Sequence, residues 1–295
     1  MADDEAAEVR ALWSALGLPG VVDVHTHFMP KSVMDKVWQY FDSAGPLVGR
    51  EWPITYRTAE SDRVRTLRDF GVRGFTALVY PHKPQMAAWL NQWAVQFARA
   101  TPDCLATATF YPEPGVGDYV GTAIADGTRV FKAHIQVGRY EPNDPLLDPV
   151  WGVIEDAGVP VVIHCGSGPA PGEHTGPEPI QLLLQRFPRL KLIVAHLGMP
   201  EYVEFMDICE NAADVRLDTT MAFTPFVEES MPFPPSQRNR LRDLGDRILF
   251  GSDFPNIPYG YADAMRSLTD LPGVDDAWLR GVFHDNAAAL FGLTG

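Results

Sequence analysis

"VVDVHTHFMP", residues 21–30, is a β-branched apolar run whose far end carries two histidines, His25 and His27, one residue apart. Alternate side chains of an extended chain share a face, which predicts both rings in one small volume, about 6–7 Å apart along the strand. Valine would pack better at both positions, so the pattern reads as ligand spacing at the end of a strand. Seven more runs of the same kind follow: "GFTALVY" (74–80), "LATATFY" (105–111), "RVFKAHI" (129–135), "VPVVIHC" (159–165), "KLIVAHL" (191–197), "VRLDTTM" (215–221) and "ILFGSDF" (248–254). Between them lie segments such as "ESDRVRTLRDFG", "QMAAWLNQWAVQFARA", "LLDPVWGVIEDAG" and "EPIQLLLQRFP", whose apolar residues return every three or four positions and whose ends carry Gly or Pro stops.

Strands alternating with helices predict a parallel sheet with helical crossovers. Eight such units in 295 residues, with no Gly-rich phosphate fingerprint and no break in composition, predict an α/β chain folded as a single closed (β/α)8 TIM barrel over 1–295. An open doubly wound sheet is the less favoured arrangement. Two long excursions, 28–58 with Trp38 and Trp52, and 222–237, are expected as inserted loops at the barrel rim, where they would wall a pocket or meet a second copy of the chain. A helix at about 275–291 is expected to close the chain.

Composition narrows the function. Apolar residues make up 46% and charged residues 21%, enough for a large core and unlike a disordered chain. A net charge of −14 repels phosphate backbones and anionic membranes, so neither nucleic acid nor membrane is an expected partner. The acidic start lacks the pattern of a secretory signal, and no apolar run approaches the ~20 residues of a membrane span. Three scattered cysteines, Cys104, Cys165 and Cys209, fit reduced thiols and a cytoplasmic location.

Other polar residues interrupt the apolar runs at the same end as His25 and His27: His164 closes the fifth, His196 the sixth and Asp253 the eighth. In a barrel those ends form one rim, so all five side chains are expected in one cup. Burying them unpartnered would cost several kcal/mol, and a cation would satisfy them. Neutral imidazoles with one carboxylate suit one divalent ion, Zn²⁺ foremost, with Mn²⁺, Fe²⁺ or Co²⁺ as alternatives. His25, His27, His164 and Asp253 are the expected ligands. Water on such an ion is acidified towards neutral pH, and His196 and Asp253 are the expected catalytic groups beside it.

In these motifs, through "DVHTH", "KAH", "VVIHCGSG", "LIVAHLG" and "LFGSDFP", the chain resembles the amidohydrolase superfamily, in particular its amidohydrolase-related branch of aminocarboxymuconate-semialdehyde decarboxylase and relatives. The resemblance spans nearly the whole chain. It implies the same roles: the first-strand pair, His164 and Asp253 on the metal, and His196 acting on substrate or water. Lys132, on the fourth strand, matches the position where binuclear relatives carry a carboxylated lysine, whereas the branch resembled most is mononuclear. A lysine paired to a carboxylate, or binding an anionic substrate, is the preferred reading there. His134, Arg139 and Trp52 join Lys132 as candidate substrate contacts, while Glu113, His82 and His174 are weaker loop candidates.

Three functions compete. The first is a metal-dependent hydrolase in which activated water attacks an ester, lactone or amide carbon of a small, aromatic or ring-derived substrate. The second is a metal-dependent, non-oxidative decarboxylase of an aromatic or muconate-type acid, suggested by the resemblance of "HTHFMP" to decarboxylase members. The third, a binding barrel without catalysis, predicts a missing ligand or base, and none is missing. A homodimer is the oligomer the aromatic excursions would serve.

Overall fold

The computed structural model of the chain describes residues 2–293. Each of the eight runs holds or overlaps a strand, shorter than its apolar stretch: β1 Val21–Asp23, β2 Val72–Thr76, which begins two residues before its run, β3 Cys104–Leu105, which begins one residue before its run, with β4 Thr107–Thr109, β5 Val130–His134, β6 Val161–His164, β7 Leu192–Val194, β8 Val215–Asp218 and β9 Ile248–Leu249. The third run is split because the Ala106 carbonyl accepts from both Arg129 N–H and Val130 N–H, which interrupts the regular ladder. The expected extended ends are corrected too. His25, His27 and Asp253 lie beyond their strands, and His196 lies in a short turn, Ala195–Gly198, where it and Leu197 take left-handed backbone angles, φ 58° and 52°.

The chain divides into two compact units. Among the described residues, the first holds 2–27, 31–75 and 218–293. In it β1 pairs parallel with β2, Val22 opposite Gly74 and Asp23 opposite Phe75. Its core is aromatic: Tyr56 packs on Phe254 at 4.7 Å between centroids, Phe70 on Tyr261 at 5.0 Å, and Phe250 edge-on to Phe283 at 5.3 Å. The excursion after β1, expected as a loop, contains the helix Lys31–Ser43, because Met34, Trp38 and Phe41 recur at helical spacing, and Met34 and Trp38 are buried. The second excursion holds only short helical turns, Pro225–Glu228 and Pro235–Gln237. The C-terminal helix is found as Asp276–Arg280 and Asn286–Phe291 joined through a π-helical turn, Gly281–Asp285.

The second unit holds Phe28–Pro30 and Thr76–Leu217. Strands β4 to β8 follow one another in order and in parallel, Ala108 opposite Phe131, His134 opposite His164, Ile163 opposite Val194 and Ile193 opposite Arg216. Helices Val116–Ala125, Asp148–Ala157, Pro177–Arg186 and Tyr202–Asn211 alternate with them. The predicted stop after Asp148–Ala157 is Gly158, left-handed at φ 62°, whose N–H returns to the Glu155 and Ile154 carbonyls. Trp151, Phe110 and Phe131 are fully buried there.

Candidate metal centre

The first unit laces two segments together just beyond β1 and β9. Val24 N–H donates to the Phe250 carbonyl (3.0 Å), Asp253 N–H to the His25 carbonyl (2.8 Å) and His27 N–H to the Phe254 carbonyl (2.7 Å). Asp23, wholly buried, pins the pair from below. Its Oδ1 accepts from His25 N–H (3.1 Å) and Ser252 N–H (3.2 Å), and its Oδ2 from the Ser252 hydroxyl (2.6 Å) and the Tyr261 hydroxyl (2.9 Å). Burial pushes this carboxyl up to about 7 despite those donors. Asp253 takes a left-handed φ of 71°, which an aspartate tolerates and which turns its side chain towards the two histidines.

Onto that frame three donors converge. His27 Nε2 lies 2.9 Å from Asp253 Oδ1, and His25 Nε2 lies 3.8 Å from the same oxygen. One ligand atom from each of the three lies within 4.8 Å of the other two, and the two rings meet edge-on with centroids 5.1 Å apart. His25 and His27 are sealed, at 1% and 5% side-chain exposure, while Asp253 is 13% exposed and so is the ligand group that solvent and substrate reach. Behind His25, on the ring edge away from Asp253, Asp218 Oδ2 stands 2.9 Å from Nδ1. Two Nε2 atoms and a carboxylate oxygen at this separation are the donor set a borderline divalent cation takes, so these residues fit such an ion.

The second unit gathers the other predicted imidazoles. His134 and His164 are register partners on β5 and β6 and stack at 4.2 Å and 14°. His196 meets His164 edge-on at 4.8 Å, and Tyr80 packs on His134 at 4.7 Å. His164 Nε2 is 3.0 Å from the Gly168 carbonyl, which can only accept, so the proton of that bond sits on Nε2. Lys132 is fully buried on β5, its carbonyl accepting from the Thr109 hydroxyl (2.7 Å). Arg139 closes the turn Ile135–Gly138 with a left-handed backbone. Among the loop candidates, Glu113 accepts from Tyr119 and the Gln85 N–H, and His174 pairs with Glu141 at 3.2 Å.

Trp52, the remaining candidate contact, is buried in the first unit and donates its indole N–H to the Asn256 carbonyl at 2.7 Å. Two residues at the centre escaped the sequence reading. Asp218, in "VRLDTT", carried the same signal as Asp253, a carboxylate interrupting the end of an apolar run. Asp23 interrupts "VVDV" likewise. No helix among the described residues is long and apolar enough to cross a membrane.

Solved structures share this fold. An uncharacterized TIM-barrel protein from Bordetella bronchiseptica superposes with TM-score 0.75 at 19% identity, covering 92% of this chain and 98% of that one. A 5-carboxyvanillate decarboxylase from Novosphingobium aromaticivorans, with bound manganese, gives 0.62 at 15% identity, covering 94% and 99%. A probable 2-pyrone-4,6-dicarboxylic acid hydrolase from Acinetobacter baumannii, with citric acid bound, gives 0.61 at 15%, covering 93% and 100%. The chain is thus a TIM barrel, as its eight strand–helix units predict. The amidohydrolase family model (Amidohydro_2) matches residues 22–293, and the chain belongs to that family. No curated protein sequence matches it.

Proposed function

We propose that this chain is a metal-dependent hydrolase that adds water to an ester, lactone or amide carbon of a small, ring-derived substrate. The observation that carries the reading is the convergence of His25 Nε2, His27 Nε2 and Asp253 Oδ1 on one buried point in a chain of the amidohydrolase family. These three would hold one divalent ion, Zn²⁺ foremost, and the family resemblance adds His164 as a further ligand. When bound, the ion supplies Lewis acidity and brings the pKa of water towards neutrality.

The chain's own groups do the rest. Asp253 meets both imidazoles through Oδ1, and in this reading Oδ2 takes the proton of the attacking water. The water oxygen bonds to the acyl carbon, the bond to the leaving oxygen or nitrogen breaks, and the proton passes from Asp253 to that atom. His196 is assigned by the resemblance to donate to the negative charge that builds on the substrate's carbonyl oxygen. A carboxylated Lys132 is not part of the proposal; in it the lysine, with His134 and Arg139, serves anionic substrate.

The test is a panel of aromatic esters, lactones and amides, pyrone-type lactones included, assayed with protein reconstituted in Zn²⁺, Mn²⁺ or Co²⁺ and with chelated protein. Hydrolysis that disappears on chelation and in Asp253→Asn is expected. Release of CO₂ from hydroxybenzoate or muconate-type acids, with no hydrolysis of any panel member, would overturn hydrolysis in favour of decarboxylation.

A further inference from the structure

The geometry points to Asp218 as a positioning residue that sets His25 as a ligand: its carboxylate fixes the proton on Nδ1 and so presents the bare Nε2 to the cation. The inference rests on the metal reading proposed above. Three observations on the page converge on it. The Asp218 Oδ2 to His25 Nδ1 separation is 2.9 Å, with both side chains essentially sealed, 0% and 1% exposed. An ionised carboxylate only accepts, so the proton of that bond belongs to the imidazole. The other oxygen, Oδ1, accepts from Thr220 N–H at 3.1 Å, so the carboxylate is held at both ends and cannot turn away from the ring.

The third observation is the space around the pair. A Cβ at Gly251 would stand 2.2 Å from Thr220 Oγ1, 2.8 Å from His25 Cβ and 3.3 Å from Asp218 Cγ. Only a residue without a side chain lets β8 and the segment after β9 close on His25 in this way. That close approach sets where the His25 side chain leaves the backbone, the Asp218 bond at Nδ1 sets how the ring is turned, and a carboxylate behind the ring makes Nε2 a more basic donor.

Asparagine separates this role from simple packing. Asp218 supplies two acceptors, one for Thr220 N–H and one for His25 Nδ1–H, and an amide has only one. Asp218→Asn must either oppose the amide N–H₂ to Thr220 N–H or turn it on the imidazole, which then flips its proton to Nε2. The experiment is a competition titration of metal-free protein with Zn²⁺ or Co²⁺ against a chelator, for wild type, Asp218→Asn, His25→Ala and the double variant. Expected is a 10- to 100-fold weaker affinity in Asp218→Asn, shrinking to about 2-fold or less once His25 is gone.

Unchanged affinity in Asp218→Asn, or an equal loss with and without His25, overturns the inference while leaving the metal reading intact. A wild-type protein that takes up no ion overturns the metal reading itself, and this inference with it. Should Asp218→Asn fail to fold, the ¹⁵N shifts of the His25 ring in metal-free wild type decide. A protonated Nδ1 with a bare Nε2 supports the assignment, and the reverse tautomer overturns it.

Discussion

Gly251→Ala adds one methyl group at the point where three elements meet, and its effect can be worked from the contacts. Ordinary carbon contacts begin near 3.4 Å, so Thr220 Oγ1 at 2.2 Å must retreat by about 1.2 Å and His25 Cβ at 2.8 Å by about 0.6 Å. Neither relief is cheap. A Cβ moves only with its backbone, and the His25 backbone is held by Asp23 and by Asp253 N–H. Overpacking of that kind lies at the upper end of the usual range, about 3 kcal/mol. Restricting the unfolded chain returns about 0.5 kcal/mol, leaving a net loss of roughly 2.5 kcal/mol and a fall in Tm of about 5 °C. Gly121→Ala, in the helix Val116–Ala125 with nothing within 4 Å of the new Cβ, is the control and should gain about 0.5–1 kcal/mol. Urea unfolding with metal-free protein measures both. A Gly251→Ala protein as stable as wild type, with the same affinity for Zn²⁺, would refute the reasoning.

Three further outcomes follow from the same structure. Asp23→Ala strands two backbone N–H groups and two hydroxyls that converge on one carboxylate, and should cost about 3 kcal/mol, whereas Asp23→Asn, whose N–H₂ can donate to the rotatable Ser252 and Tyr261 hydroxyls, should cost less than half of that in urea unfolding. Trp151→Ala, removing a fully buried indole that donates to the Pro142 carbonyl at 2.8 Å and meets Phe110 edge-on, should cost about 4 kcal/mol by the same measure, and Trp151→Phe about half as much. A divalent ion at a hundred times its Kd should raise stability by about 2.7 kcal/mol in a thermal shift assay, and Asp253→Asn should abolish the rise.

The eight strand-bearing runs are legible from their apolar, β-branched composition, although the third holds two strands, and helices such as Glu60–Phe70 because their apolar period and Gly stop agree. What the pattern overstates is strand length. The predicted residues His25, His196 and Asp253 sit where the ladder has ended: His196 in a left-handed turn, Asp253 at φ 71°, His25 held by the Asp23 carboxylate. Those conformations are set by partners far along the chain, Ser252 lying 229 positions from Asp23, and no local signal records them. Asp218 shows the same limit. Its interruption of an apolar run was visible, but its meaning depends on a histidine 193 positions away. The helix Lys31–Ser43 is marked by Pro30 before it and Gly45 after it, but its apolar stripe, Met34, Trp38 and Phe41, is sparse among polar residues and so reads weakly as a buried face.

One asparagine ties two indoles to the segment after Asp253: Asn256 accepts from Trp38 through its side chain at 3.1 Å and from Trp52 through its carbonyl at 2.7 Å. Both indoles are buried, and each donates to a residue three positions downstream of Asp253. The protein thus carries its own optical probe, and the part of its emission lost in Trp38→Phe and Trp52→Phe is the part whose colour tracks any rearrangement of that segment.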